Sequence, residues 1–166
     1  LLARAANVEG AGAIELRELV RQALRMRPDR LIVGEFRGAE MVDLLIALNT
    51  GHEGGAATMH ANSAADVPAR LMALGTLAGL PESATTSLAS SAIDVIVHLR
   101  RGRDGVRGVV EIAVLDRRGG ELAVVPAWSV RTGLDAGAAD LADLIRCHGT
   151  VYLLARAEVA RRVLWG

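Results

Sequence analysis

The chain has 166 residues, 51% of them hydrophobic and only 2% aromatic, with a formal net charge of zero. That apolar content excludes a disordered segment, and a core with so few rings must be built from Leu, Val, Ile and Ala. Zero net charge excludes recruitment of nucleic acid or an acidic membrane by a global field, and the single cysteine, Cys147, excludes an internal disulfide and suits a reducing cytoplasm.

No apolar run approaches the roughly 20 residues of a membrane span, and no signal-peptide pattern opens the sequence. The chain begins at Leu1 rather than Met, which points to a piece of a longer protein. All 19 basic residues are arginine. A phosphate-binding loop of the form G-x-x-x-x-G-K-[ST] needs a lysine, so these residues do not contain one.

In chain order, Leu16, Leu19, Val20, Ala23 and Leu24 recur at helical spacing and predict a helix over 15–26, ended by Pro28. Leu31, Ile32 and Val33 form a short apolar run bounded by turn residues, read as a buried parallel strand over 31–35. A second helix is predicted over 39–48, with Gly51 placed to cap it. The segment GAATMH, 55–60, reads as another strand. A third helix starts near Ala65, with Pro68 in its first turn, and ends by Gly79. A fourth occupies 82–92. The texture then becomes alternating: 94–100, 106–115 and 122–125 predict an antiparallel meander, with turns at Arg103–Gly105 and in DRRGGE. A polar linker at 131–137 precedes two candidate helices, 138–146 and 151–164. The expected division is 1–130 as one α/β unit and 131–166 as a helical tail.

The order strand, helix, strand over 31–60 is a βαβ unit, whose right-handed crossover makes the strands parallel. Both C-terminal ends then open on the sheet edge where α/β proteins bind ligands. Glu35 closes the first strand and His60 the second. A carboxylate and an imidazole are thus presented side by side, with Asn62 and Ser63 following, a set suited to acid/base or phosphate chemistry. A charged Glu at the end of an apolar strand is costly without a partner or a role.

On these residues the chain resembles the type II/IV secretion ATPases, nearest the CpaF/TadA-type branch of pilus-assembly and conjugal-transfer-associated motors. RMRPDRLIVGEFRG resembles their Walker B region, and TGHEGGAATMHANS their His box, with Thr58, His60, Ala61 and Asn62 in T-x-H-A-N order. NVEGAGAIELRELVRQALR fits the stretch before Walker B. The resemblance covers roughly residues 4–126.

It implies a RecA-like P-loop NTPase core, incomplete because the phosphate-loop strand lies upstream, with parallel strands, flanking helices and a C-terminal antiparallel meander. It also implies ATP and Mg²⁺ as ligands. Glu35 would polarise the attacking water and support Mg²⁺ through water. His60 would contact the γ-phosphate, with Thr58 and Asn62 positioning its loop. Arg4 would match the arginine that follows the family's acidic box and would bind the nucleotide, and Arg37 would stack near the nucleotide or bridge subunits. The implied setting is a hexameric ring at the cytoplasmic face of the inner membrane, docked on secretion-platform proteins, with no nucleic acid expected. Loss of the phosphate-loop strand would leave the 55–60 strand with an unpaired edge.

Other readings stay open. A non-catalytic interaction module would keep the fold without the reaction. His52 and Glu53 invite zinc, but a zincin needs H-E-x-x-H and the next histidine is eight residues on. The adjoining Cys147 and His148 read as an ordinary surface pair. Arg100, Arg101, Arg103 and Arg107 cluster on one turn, as a solvated hairpin tip or a nucleic-acid patch. Arg21, Arg25 and Arg27 suit a solvated helix face or contact with a neighbouring subunit.

Overall fold

In a computed structural model, residues 1–8, 10–50, 54–103, 105–147 and 152–155 are described. Among them, helix α1 (Leu16–Arg25) leads to strand β1 (Ile32–Val33), helix α2 (Glu40–Leu48) and strand β2 (Ala56–Met59). A 3-10 turn (Ala64–Asp66) opens helix α3 (Val67–Leu77), followed by helix α4 (Glu82–Ala92). The meander is β3 (Val95–Arg101), β4 (Arg107–Arg118), β5 (Glu121–Ser129) and the short β6 (Gly133–Leu134). Helix α5 (Ala138–Cys147) and strand β7 (Tyr152–Ala155) close the described chain.

The strands form one sheet in the order β1-β2-β7-β3-β4-β5-β6. β1, β2, β7 and β3 run parallel, while β3–β4, β4–β5 and β5–β6 are antiparallel. The predicted α/β class, the βαβ unit and the meander are all present. Strand ends differ because backbone pairing, not composition, sets them: β1 is two residues long, and β4 runs on to Arg118. The turn in DRRGGE narrows to Gly119 and Gly120, both at positive φ, the conformation a two-residue hairpin needs to match strand twist.

The tail departs from expectation. Helix α5 stands where 138–146 predicted one, but the helix expected over 151–164 gives way at 152–155 to a strand. The remainder of that expected helix lies outside the described residues, as do Gly51, His52, Glu53 and His148. Nor does β2 have an open edge: β1 pairs with one side and β7 with the other. A run such as Tyr-Leu-Leu-Ala fits either element by periodicity, and the two flanking strands decide it.

The core lies between the sheet and α2, α3 and α4. Met41, Leu44 and Leu45 from α2, Leu71 and Leu74 from α3, and Ala89 and Ala92 from α4 meet Ala57 and Met59 of β2 and Ile96 of β3. α1 adds Val20, buried, and half-buried Leu16, Ala23 and Leu24, as its apolar stripe predicted. α3 ends at Leu77 with Ala78 as its cap, Gly79 at φ +80° and Leu80 N–H donating to the Gly75 carbonyl at 2.9 Å, a Schellman stop that explains the predicted end at Gly79.

Gly75 also sets the α3–α4 approach. A Cβ there would lie 2.2 Å from Thr85 Oγ1 and 2.7 Å from its Cγ2. Thr85 is buried and β-branched, so it has little rotamer freedom with which to yield. Gly75→Ala is expected to destabilise by about 1–3 kcal/mol through overpacking, despite a helix-propensity gain of up to about 1 kcal/mol. Urea unfolding of Gly75→Ala, with Thr85→Ala added to relieve the clash, checks it; a wild-type midpoint for the single variant would refute the close packing.

Candidate functional site

The loop after β1 is held by backbone bonds that its sequence does not advertise. Phe36 is buried and its N–H donates to the Thr58 carbonyl at 3.1 Å, while Thr58 Oγ1 donates to the Gly34 carbonyl. Glu35, between Gly34 and Phe36, is therefore clamped to β2 on either side. From the other end, Glu40 in the first turn of α2 reaches back: its Oε1 accepts from Arg37 N–H at 2.8 Å and Gly38 N–H at 3.0 Å. A carboxylate at a helix N-terminus is favoured by the orphan N–H groups there. These bonds make a rigid seat from a loop that is only partly buried.

On that seat, Glu35 Oε1 lies 2.7 Å from His60 Nε2. The Arg37 guanidinium grips the same carboxylate in bidentate fashion, at 2.8 Å to Oε1 and 2.9 Å to Oε2. The two residues expected to meet at the C-terminal edge of parallel strands do meet, because Glu35 follows β1 and His60 follows β2 directly. Arg37 joins them. Thr58 is in place as the buried link between the two loops. Arg4 is elsewhere: its Nε donates to the Gly12 carbonyl at 2.9 Å, in an N-terminal hairpin where Arg4 and Ile14 form a bridge.

The Arg37 hydrogen bonds are the main reason that Glu35's carboxyl titrates below the usual carboxylate range; partial desolvation opposes them, and the His60 imidazole adds to the lowering. A depressed carboxylate stabilises the fold fully above its unfolded pKa, near 4.3, and that contribution fades as pH falls through the lower folded value. Arg37→Ala is expected to move the Glu35 titration upward, toward the ordinary range. Side-chain carboxyl NMR shifts followed from pH 7 to 2 read this directly, and an unmoved midpoint would mean that Arg37 does not hold the charge. Since Arg37 is largely solvent-exposed, the accompanying stability change should be small.

Beside His60 opens a cleft of about 480 Å³ lined by His60, Asn62, Asp66, Arg70 and small residues of α3. Asn62 borders the cleft with His60. Asp66 and Arg70 were not singled out in the sequence. Their signal is the helical phase of positions 66, 69, 70 and 73, which line the cleft together. Ser63 Oγ donates to Asp66 at 2.9 Å. Arg70 is exposed and is held by no carboxylate among the described residues, so the cleft presents an uncommitted guanidinium.

Such an edge, with a charged carboxylate, an imidazole and an arginine-bearing cleft, suits an anionic ligand approached by water. Among the described residues no group of three His, Cys, Asp or Glu side chains could hold a metal ion.

The comparisons give the family to which this fold belongs. The profile of the Type II/IV secretion system protein family matches residues 3–123, and the chain belongs to that family. It is 56% identical over 150 residues to a Mycobacterium tuberculosis protein that is provisionally named for conjugal transfer, covering 90% of this chain and 43% of that one. It is 36% identical over 110 residues to the conjugal transfer protein TrbB of Rhizobium radiobacter, covering 65% of this chain and 33% of TrbB. Among solved structures, the VirB11 ATPase from the Brucella suis type IV secretion system, in complex with sulphate, aligns with a TM-score of 0.54 and 30% identity, over 60% of this chain and 31% of that one. The chain spans less than half the length of these relatives.

Proposed function

We propose that this chain supplies the water-activating and phosphate-sensing half of an ATP-hydrolysing site in a secretion or conjugal-transfer motor. The observation that carries the proposal is the 2.7 Å pairing of Glu35 with His60 at the C-terminal edge of two parallel strands. Membership of the secretion family and the likeness to a VirB11 ATPase support it.

In this reading Glu35 stays ionised across the physiological range and orients the attacking water electrostatically, because a carboxylate held below its usual range is a weak proton acceptor. Mg²⁺ supplies charge neutralisation at the phosphates when bound. Glu35 would hold a water of its shell. His60 reports the terminal phosphate to the fold, since an imidazole bonded to Glu35 must re-partner when a phosphate oxygen arrives. Asn62 and Thr58 keep the His60 loop in place, and Arg37 stays with Glu35 or turns to a neighbouring subunit. Arg70 would face phosphate oxygens from the cleft. Arg4 would reach the nucleotide only if the N-terminal hairpin moved.

The phosphate cradle comes from outside these 166 residues, which contain no lysine. Residues 1–130 form the motor portion, in a ring, proposed as hexameric, at the inner face of the cell membrane and docked on platform proteins. Among the described residues no helix is long and apolar enough to cross a membrane. The 166 residues alone would not turn over ATP.

A graft tests the proposal. This chain replaces the matched 150 residues of the 56%-identical Mycobacterium tuberculosis relative, and Mg²⁺-dependent phosphate release is measured against that relative. Turnover within about tenfold of the parent is expected. A graft that folds and assembles but releases no phosphate would sink the reading.

A further inference from the structure

Glu40 is the first residue of α2, yet its carboxylate does not cap that helix. Its Oε1 accepts from both the Arg37 N–H and the Gly38 N–H, and these donors precede the helix rather than belong to its first turn. No side chain caps α2 at Ala39. Two successive amides closing on one oxygen form an anion nest, and here the anion is a side chain a few residues on. Nor is Glu40 committed to a cation. Among the described residues it makes no ion pair; Arg17 of α1, whose charge reaches it, is bonded to Asp43 instead.

Gly38 is suited to this contact. A Cβ there would stand 2.9 Å from Glu40 Oε2, so a side chain at 38 would push the carboxylate off the peptide. The nest in turn holds the main chain of Arg37, whose guanidinium has no partner but Glu35 among the described residues. The Arg37 side chain is 73% exposed, so packing does not fix its direction. Its aim is set where it leaves the backbone. Glu35 is fixed independently, because the flanking Gly34 and Phe36 are bonded to Thr58. The site thus has two anchors: β2 holds the carboxylate, and Glu40 holds the main chain of the cation that grips it.

We infer that Glu40 is a positioning residue of the Glu35 site: by seating the Arg37 and Gly38 amides it aims the Arg37 guanidinium at both carboxylate oxygens of Glu35. Glu40 touches no reacting atom and acts through Arg37. Its part in turnover rests on the reading of Glu35 proposed above, whereas the seating itself is independent of ATP.

Three variants separate seating from charge and from helix stability. Glu40→Ala removes both the seat and the charge. Gly38→Ala keeps the charge but puts a methyl where the carboxylate lies. Glu40→Gln removes the charge but keeps an acceptor oxygen, and one oxygen already takes both amides. In the full 166-residue chain the readout is hydrogen exchange at Arg37 Nε–H, slowed by its bond to Glu35. Glu40→Ala and Gly38→Ala should each speed it about tenfold, the scale of one hydrogen bond to a charged group, and Glu40→Gln should bring it back to within about twofold of wild type. The backbone amides of α2 should stay protected in all three. An unmoved Arg37 rate in Glu40→Ala or Gly38→Ala would overturn the inference. So would a Glu40→Gln rate equal to that of Glu40→Ala, or a matching loss of protection along α2. Should Glu40→Ala fail to fold, Gly38→Ala carries the test with every charge in place.

In the grafted protein, Glu40→Ala and Gly38→Ala should lower kcat roughly 10- to 100-fold with KM little changed, and Glu40→Gln should rescue most of the loss. A rise in KM at unchanged kcat would overturn the positioning role. Failure of the ATP reading shows elsewhere, as wild-type turnover in Glu35→Gln, so the two failures are told apart.

Discussion

Glu35→Gln in the grafted protein is expected to lower ATP turnover by about 10²–10³-fold, the scale for losing one electrostatic stabiliser, while leaving nucleotide binding nearly unchanged. The substitution keeps the shape and one acceptor oxygen but removes the charge that Arg37 and His60 hold in place. Loss of the charge acts on the water and the ion around the phosphates, both of which matter more in the transition state than in the bound ground state. The effect should therefore appear in kcat, with KM little changed. His60→Ala should reduce turnover less, because it removes a reporter and leaves the carboxylate. Steady-state phosphate release together with fluorescent-nucleotide titration separates the two terms. Wild-type turnover by Glu35→Gln would remove Glu35 from the mechanism, and weakened binding with unchanged kcat would reassign it to ground-state recognition.

Met59→Ala is expected to destabilise the fold by about 2–5 kcal/mol, the range for truncating a buried methionine. Met59 is 1% exposed, lies on the core face of β2 with Ala57, and contributes to the cluster shared by α2, α3 and β3. Neighbours at such a central position collapse poorly into the void, so the value should lie toward the upper part of that range. Met59 also precedes His60, and loosening it should disturb the His60–Glu35 contact before global unfolding. Urea unfolding gives the stability change, and the His60 ring resonances report the local one. A loss below about 1 kcal/mol would mean that β2 is not packed as described. Met59→Leu, which nearly conserves volume, should cost less than about 1.5 kcal/mol.

Much of the site was legible because its logic is local. A short apolar run ending in Gly34 and Glu35, and another ending at His60, become parallel neighbours through the handedness of one helical crossover, so two positions 25 apart in sequence share an edge. The α3 stop at Gly79 and the Gly119–Gly120 turn were readable for the same reason: each depends on a few adjacent residues and one backbone conformation. Arg70 and the Glu40 clasp were not readable, since nothing in their sequence neighbourhoods distinguishes them from ordinary helix-surface charges. Their placement follows from where α2 and α3 start and how each is turned.

The sequence by itself determined the α/β class, the order of helices and strands through the meander, the absence of a lysine-bearing phosphate loop within these residues, and the pairing of a carboxylate with an imidazole at one edge. Only the tertiary structure decided the fate of the tail. Residues 152–155 carry no periodicity that separates strand from helix, and they become a strand because β2 and β3 each present an unpaired ladder on either side of them. It likewise decided that Arg37 closes on Glu35 while Arg4 stays with its own hairpin. Side-chain reach across a fold depends on distances that open only when the elements pack, and arginine, with its long stem and fork of donors, can serve several partners from one sequence position.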